Sequence, residues 1–179
     1  MTDHPALVPA LQAIRARGAI GEASIEDAVI HAEHFVRKIP DTARTLVDLG
    51  SGGGLPGLVI IARRPDLSVT LVERRATRAD LLRRAVAALE AGDRVTVVAD
   101  DVRVVAERSP GSFDVVTARS FAASPITARW AGALLRPGGV LVVSEPPDDD
   151  PERWPEDLLS RHGLVDQGRD QAVRTFHRV

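Results

Sequence analysis

A chain of 179 residues is long enough for one domain with a full core, and 44% hydrophobic with 27% charged residues is the make-up of a globular protein. There is no cysteine, which excludes disulfides, thiolate metal sites and cysteine nucleophiles; aromatics are 3%, so Val, Leu, Ile and Ala must build the core. A net charge of −2 excludes a general polycation, so any contact with nucleic acid has to come from a local patch.

The first residues, Met1-Thr2-Asp3-His4-Pro5, lack the basic start and apolar core of a signal peptide, and no apolar run reaches bilayer length. A cytoplasmic location is expected. Leu7, Leu11 and Ile14 recur at helical spacing within 5–17, and Gly18 and Gly21 break the pattern. Ser24 is the expected N-cap of a second helix over 25–39, ended by Pro40. Residues 1–43 are expected to form a helical extension packed on a domain spanning 44–179.

From residue 45 the pattern alternates in the α/β manner. Strands are predicted over 45–49, 68–73, 95–99, 113–118 and 140–144. Helices are predicted over 55–63, 77–91, a short stretch after Asp101, and 124–135. Gly92-Asp93 is the expected end of the helix over 77–91, and Arg136-Pro137-Gly138-Gly139 the expected turn before the fifth strand. The acidic loop Asp148-Asp149-Asp150 leads to a helix over 152–161. Two last strands, 164–167 and 172–179, meet at a turn over Gly168-Arg169-Asp170. This is an α/β Rossmann-like class: a mostly parallel seven-stranded sheet closed by an antiparallel hairpin, the pattern of class I S-adenosylmethionine (SAM)-dependent methyltransferases.

The sequence Asp48-Leu49-Gly50-Ser51-Gly52-Gly53-Gly54-Leu55-Pro56-Gly57 joins the first of these strands to its helix. A glycine-rich strand–helix turn lets backbone approach a ligand, and Gly50, Gly52, Gly54 and Gly57 are the candidates. The pattern also fits dinucleotides, but a carboxylate at Asp48 opposes a pyrophosphate and suits a ligand carrying an ammonium and a sulfonium. Glu73 ends the second strand, where an acid can accept ribose hydroxyls in either cofactor class; the alternative is a solvated acid beside Arg74 and Arg75. Asp100 and Asp101 end the third strand, Asp100 read as an adenine contact and Asp101 open to the alternative of a helix N-cap. Acids at three successive strand ends beside a glycine turn favour SAM over NAD.

Three stretches carry a family resemblance: Val47 to Gly57 with its closing Leu-Pro-Gly, Leu71-Val72-Glu73-Arg74-Arg75-Ala76-Thr77-Arg78, and Phe113-Asp114-Val115-Val116-Thr117-Ala118-Arg119-Ser120-Phe121-Ala122. Together they resemble the bacterial 16S rRNA guanine-N7 methyltransferases, the glucose-inhibited division protein B family, with this chain a divergent and shortened member. The resemblance implies SAM as cofactor, methyl transfer to guanine N7, and 16S rRNA or the 30S subunit as partner, with no metal.

Arg119, just past the fourth strand, is then the catalytic and substrate-binding candidate, its planar fork suited to a guanine O6 edge or a phosphate; the alternative is a salt bridge. Phe121 could stack on a base or belong to the core. Arg74, Arg75 and Arg78 could face RNA phosphates or form a solvated helix face. Trp130 and Trp154 are read as packing residues, and His31 and His34, on one helix face, as surface or packing residues. Two further readings stay open: a small-molecule acceptor, and a SAM-binding module without catalysis.

Overall fold

A computed structural model describes residues 4–21, 24–148 and 150–179. Met1, Thr2 and Asp3 of the N-terminal reading, and Asp149 of the acidic loop, lie outside the described residues. In chain order the elements are α1 (Leu7–Arg15), α2 (Ile25–Val36), β1 (Thr45–Leu49), α3 (Gly57–Arg63), β2 (Ser68–Val72), α4 (Ala76–Ala88) and β3 (Val95–Val98). There follow α5 (Val102–Arg108), β4 (Phe113–Ala118), α6 (Ser124–Leu134), β5 (Leu135–Ser144), α7 (Glu156–Arg161), β6 (Leu164–Asp170) and β7 (Val173–Arg178).

The strands form one sheet in the order β3-β2-β1-β4-β5-β7-β6. β1 to β5 run parallel, and β7 joins antiparallel to both β5 and β6. Period-two side-chain alternation explains why apolar runs rather than amphipathic strands build it, since both faces are covered. Leu46, Leu71, Val115 and Val140 enter the core shared with α1, α2, α3 and α4. Their neighbours Val47, Val72, Val116 and Leu141 enter the opposite core with α5, α6 and α7. Strand order reverses between β1 and β4, which places the crevice of the fold at the carboxyl ends of β1, β2 and β4.

The helical starts follow local chemistry. Ser24 accepts the amide N–H of Asp27 at 3.0 Å and caps α2, and Asp101 accepts that of Arg103 at 2.9 Å and caps α5.

Beyond end shifts of one to three residues, as where α2 stops at Val36 and α3 starts at Gly57, four places differ from the sequence reading. α4 ends at Ala88 with Glu90, not Gly92, taking the left-handed conformation. The expected turn at 136–139 is a bulge within β5, which already pairs Leu135 with Phe113 before it resumes at Val140 opposite Val115. The stretch 152–161 divides into a 3-10 turn over Pro151–Arg153 and α7, because Pro155 disfavours helix at Trp154. The final turn is Gln171-Ala172, with Gly168 absorbed by a bulge in β6.

Candidate active site

A cavity of about 480 Å³ opens at the carboxyl edge of the sheet. Its floor is Gly50 and Gly52. One wall carries Glu73, Arg74, Arg75 and Arg78, another Asp100 and Asp101, and a third Ser120, Phe121, Ile126 and Trp130. A second recess of about 280 Å³ shares Gly50, Gly52, Arg78 and Ser120 with it and continues to Arg119 under Ala19, Ile20 and Gly21.

Asp48 lies beneath this floor, 1% exposed. It stands opposite Leu71 of β2 and Thr117 of β4. The Thr117 hydroxyl donates to its Oδ1 at 2.7 Å, while Oδ2 is sealed from solvent with no hydrogen-bond partner. Burial pushes the carboxyl up to about 6, against the opposing hydrogen bonds and the positive charge of Arg119. A buried carboxylate with a spare lone pair can complement a nearby positive charge.

The glycines divide into two roles. Gly50 (φ +64°) and Gly52 (φ +50°) line the cavity, and a Cβ on Gly50 would stand 2.8 Å from the Phe121 ring. Gly54 and Gly57 face inward instead. A Cβ on Gly54 would strike Leu58 at 2.4 Å, and one on Gly57 would come within 2.6 Å of Leu71 and 2.9 Å of Asp48 Oδ2. Their smallness admits the core and the Asp48 carboxylate, and neither lines the two recesses.

Glu73 is buried and already accepts two backbone amides, that of Gly52 at 3.0 Å and that of Arg75 at 2.8 Å. It braces the glycine turn from β2 and keeps further lone pairs for the cavity. Asp100 and Asp101 are exposed on the opposite wall. Asp100 accepts the Asp101 amide at 2.7 Å and Asp101 caps α5, so the N-cap reading of Asp101 holds while both still line the cavity.

Arg119 follows β4 directly and is half-buried, with one terminal guanidinium nitrogen sealed and unpaired. Burial lowers its pKa, and the Asp48 charge works the other way. Ser120 next to it holds φ +51°, a conformation that costs a serine energy and that recurs at functional sites. Phe121 packs partly on the core and partly walls the cavity. Of the basic residues, Arg74, Arg75 and Arg78 reach the cavity, while Arg83 pairs with Asp80 at 2.6 Å on the solvent face of α4.

Trp130 packs against the core, as read from the sequence, and with Ile126 it also lines the cavity, which sequence reasoning did not single out. They stand four apart on α6, off its buried stripe of Thr127, Ala128, Ala131 and Leu134, and that offset was the available signal. Trp154 does pack, its indole N–H donating to buried Glu145 at 2.8 Å and its ring 4.7 Å from that of Phe176. Among the described residues no cluster of three His, Asp or Glu is placed to hold a metal ion, and no helix is long and apolar enough to cross a membrane.

Comparison with known proteins supplies the lineage. The family model described as rRNA small subunit methyltransferase G matches residues 10–150. The chain is 40% identical over 164 residues to a ribosomal RNA small subunit methyltransferase G of Acidothermus cellulolyticus, covering 89% of this chain and 69% of that one. It is 49% identical over 103 residues to the one of Salinispora arenicola, covering 55% and 43%. The chain thus spans about half the length of several relatives that it matches. Among solved structures it resembles cofactor-bound Rv0187 from MTB, with a TM-score of 0.68 at 21% identity over 98% of this chain and 90% of that one. It also resembles an O-methyltransferase from Bacillus cereus in complex with SAH, with a TM-score of 0.62 at 17% identity over 98% and 90%. Those likenesses establish the class I methyltransferase fold, and the family match covers the glycine turn, the three acidic strand ends and Arg119 alike: the chain belongs to the rRNA small subunit methyltransferase G family.

Proposed function

We propose that the chain is a SAM-dependent methyltransferase acting in the cytoplasm on guanine N7 of 16S rRNA, as naked RNA or in the 30S subunit. The observation that carries the cofactor reading is Asp48, a sealed carboxylate with an unpaired oxygen under a glycine floor. A cationic nucleoside fits these residues. Glu73 and Asp100 offer acceptors for ribose and adenine hydrogen-bond donors, Asp101 borders the same wall, and Gly50 and Gly52 leave room for close approach. The buried negative charge of Asp48 complements an ammonium and a sulfonium. When bound, the cofactor supplies an activated methyl group.

The remaining work falls to the chain's own side chains. Guanine N7 carries an in-plane lone pair and has no proton to lose on attack, so positioning suffices and a general base is not required. Arg119 offers a donor fork beside the cavity floor for the O6 edge of the base. Phe121 and Trp130 give aromatic faces on the cavity wall for an unstacked base. Arg74, Arg75 and Arg78 bring positive charge to the rim, where RNA phosphates would lie.

The test is methyl transfer from labelled SAM to 30S subunits and to naked 16S rRNA, with Asp48→Ala as control and the RNA digest analysed for 7-methylguanosine. Label in that nucleoside, lost in the variant, is expected. An unlabelled RNA with cofactor binding confirmed on the same preparation would overturn the acceptor and keep the cofactor.

A further inference from the structure

Gly53 makes room for a distant piece of chain. A Cβ there would stand 2.5 Å from the Ala19 carbonyl oxygen and 2.5 Å from Cγ1 of Ile20. Its φ is not left-handed, so the missing side chain serves space alone. The end of α1 sets the connector there. The Gly18 N–H donates to the Arg15 carbonyl at 2.9 Å, the Ala19 N–H to that of Ile14 at 3.4 Å, and Gly18 holds φ +72°. This is the Schellman closure, in which a left-handed glycine turns the chain away at a helix end. Ala19 and Ile20 then come down on the glycine turn and pack partly on the core.

These two residues also cover the second recess, whose floor is Gly50, Ser51, Gly52 and Gly53 and whose sides carry Arg78, Arg119 and Ser120. An apolar roof over a glycine floor, with arginines at the edge, is a slot for a planar ring that carries acceptors on its rim. The ring faces lie against Ile20 and the glycines, and the rim meets guanidinium groups, which have only donors. The N7 and O6 edge of guanine presents acceptors alone, whereas adenine sets a donor beside its N7.

We infer that Ile20 is a specificity-determining residue for the methyl acceptor: seated on Gly53, it sets the height of this slot and holds the purine plane so that N7 faces the methyl group. The inference rests on the function proposed above and brings the connector between α1 and α2 into the site. Ile20 acts on transfer rather than on cofactor affinity. Glu73 and Asp100 line the larger cavity and not the roofed recess, and Asp48 lies beneath the floor that the two share. In-line transfer depends on the placement of the reacting atoms, so a roof that gives way costs rate even where the cofactor stays bound.

The test uses the full chain, with SAM affinity from calorimetry and kcat and KM from methyl transfer to 30S subunits. Ile20→Ala is expected to lower kcat/KM for the subunits about tenfold, with SAM affinity within about twofold of the wild type. Ile20→Val keeps a branched wall and is expected to recover most of that loss. Gly53→Ala lifts the connector and is expected to give a similar loss, together with faster trypsin cleavage after the exposed Arg17. Both changes undo one contact, so the double variant is expected to be no worse than Gly53→Ala alone. Wild-type transfer by a folded Ile20→Ala, additive losses in the double variant, or a loss confined to SAM affinity would overturn the inference. Wild-type protein that methylates no 30S subunits would count against the proposed acceptor instead. The cleavage rate needs no acceptor: faster cleavage of Gly53→Ala then keeps the connector as a wall of the recess, and an unchanged rate removes it.

Discussion

Two aspartates on neighbouring strands of the same sheet have opposite lives. Asp114 begins β4 at the amino edge and is saturated with donors: the amides of Arg44 at 2.7 Å and Thr45 at 2.9 Å, the Thr45 hydroxyl at 3.1 Å, and the Arg136 guanidinium. Burial works to raise its pKa, and those donors outweigh it and hold the carboxyl at about 2. Asp48 sits near the carboxyl end of β1, more deeply buried, with one oxygen unpaired and its carboxyl pushed up to about 6. Asp114 ties the approach to β1 and the start of β5 to β4, and its charge is consumed by structure. The charge of Asp48 is kept under strain at the edge where strand ends meet a glycine turn. In a parallel sheet one edge is built to be satisfied and the other to be completed by a ligand.

Neutralising the strained acid gives the largest effect. The folded-state pKa of Asp48 lies above its ordinary value of 3.8, so its contribution to stability is fully present below that value and is lost as pH rises through about 6. Asp48→Asn is therefore expected to stabilise the free chain at pH 7 by about 2 kcal/mol while weakening SAM binding by at least about tenfold. Urea denaturation at pH 4.5 and 7.5 and calorimetric titration with SAM read the two effects. A variant that melts like the wild type at both pH values would show that the Asp48 charge carries no strain. Gly57→Ala acts on the same acid by packing. Its methyl would press on Leu71 and Asp48, with an expected loss of about 2–3 kcal/mol in denaturation and a weakened hold on SAM.

The satisfied acid should behave in the reverse way. Asp114→Ala leaves two backbone amides and a guanidinium without their acceptor and is expected to cost about 2 kcal/mol, with SAM affinity unchanged within about twofold. Its contribution is present above pH 3.8 and fades as pH falls through about 2, so the penalty should hold throughout the neutral range. A loss of affinity comparable to that of Asp48→Asn would erase the contrast between the two edges.

The sequence made the difference between the edges partly legible. Asp48, Glu73 and Asp100 each follow an apolar run and precede a helix start, and that position alone announces a carboxyl strand end. The caps Ser24 and Asp101 were legible for the same reason, since each satisfies amides within three residues. What was not legible depends on contacts between distant segments. Gly54 and Gly57 read like their neighbours Gly50 and Gly52 because sequence gives no inside or outside to a turn. The Phe113–Leu135 pairing that draws 136–139 into β5 is a tertiary event. That Trp130 borders the cavity as well as the core depends on its place beside the buried stripe of α6, which smaller residues fill.

The smallest predicted effect sharpens the contrast most. Thr117→Val removes the hydroxyl that donates to Asp48 at 2.7 Å while keeping the shape of the side chain, so the carboxylate loses support in its charged form. With a pKa of about 6 the wild-type acid is about nine-tenths ionised at pH 7. A further rise of about one unit would leave it about half ionised, and SAM affinity at pH 7 should fall about twofold. At pH 9 both forms are ionised and the difference should vanish. A stability effect alone would be independent of pH over this range. A deficit that closes as pH rises is therefore the signature of a charge held for the ligand, and a deficit that stays constant would reduce Thr117 to a packing residue.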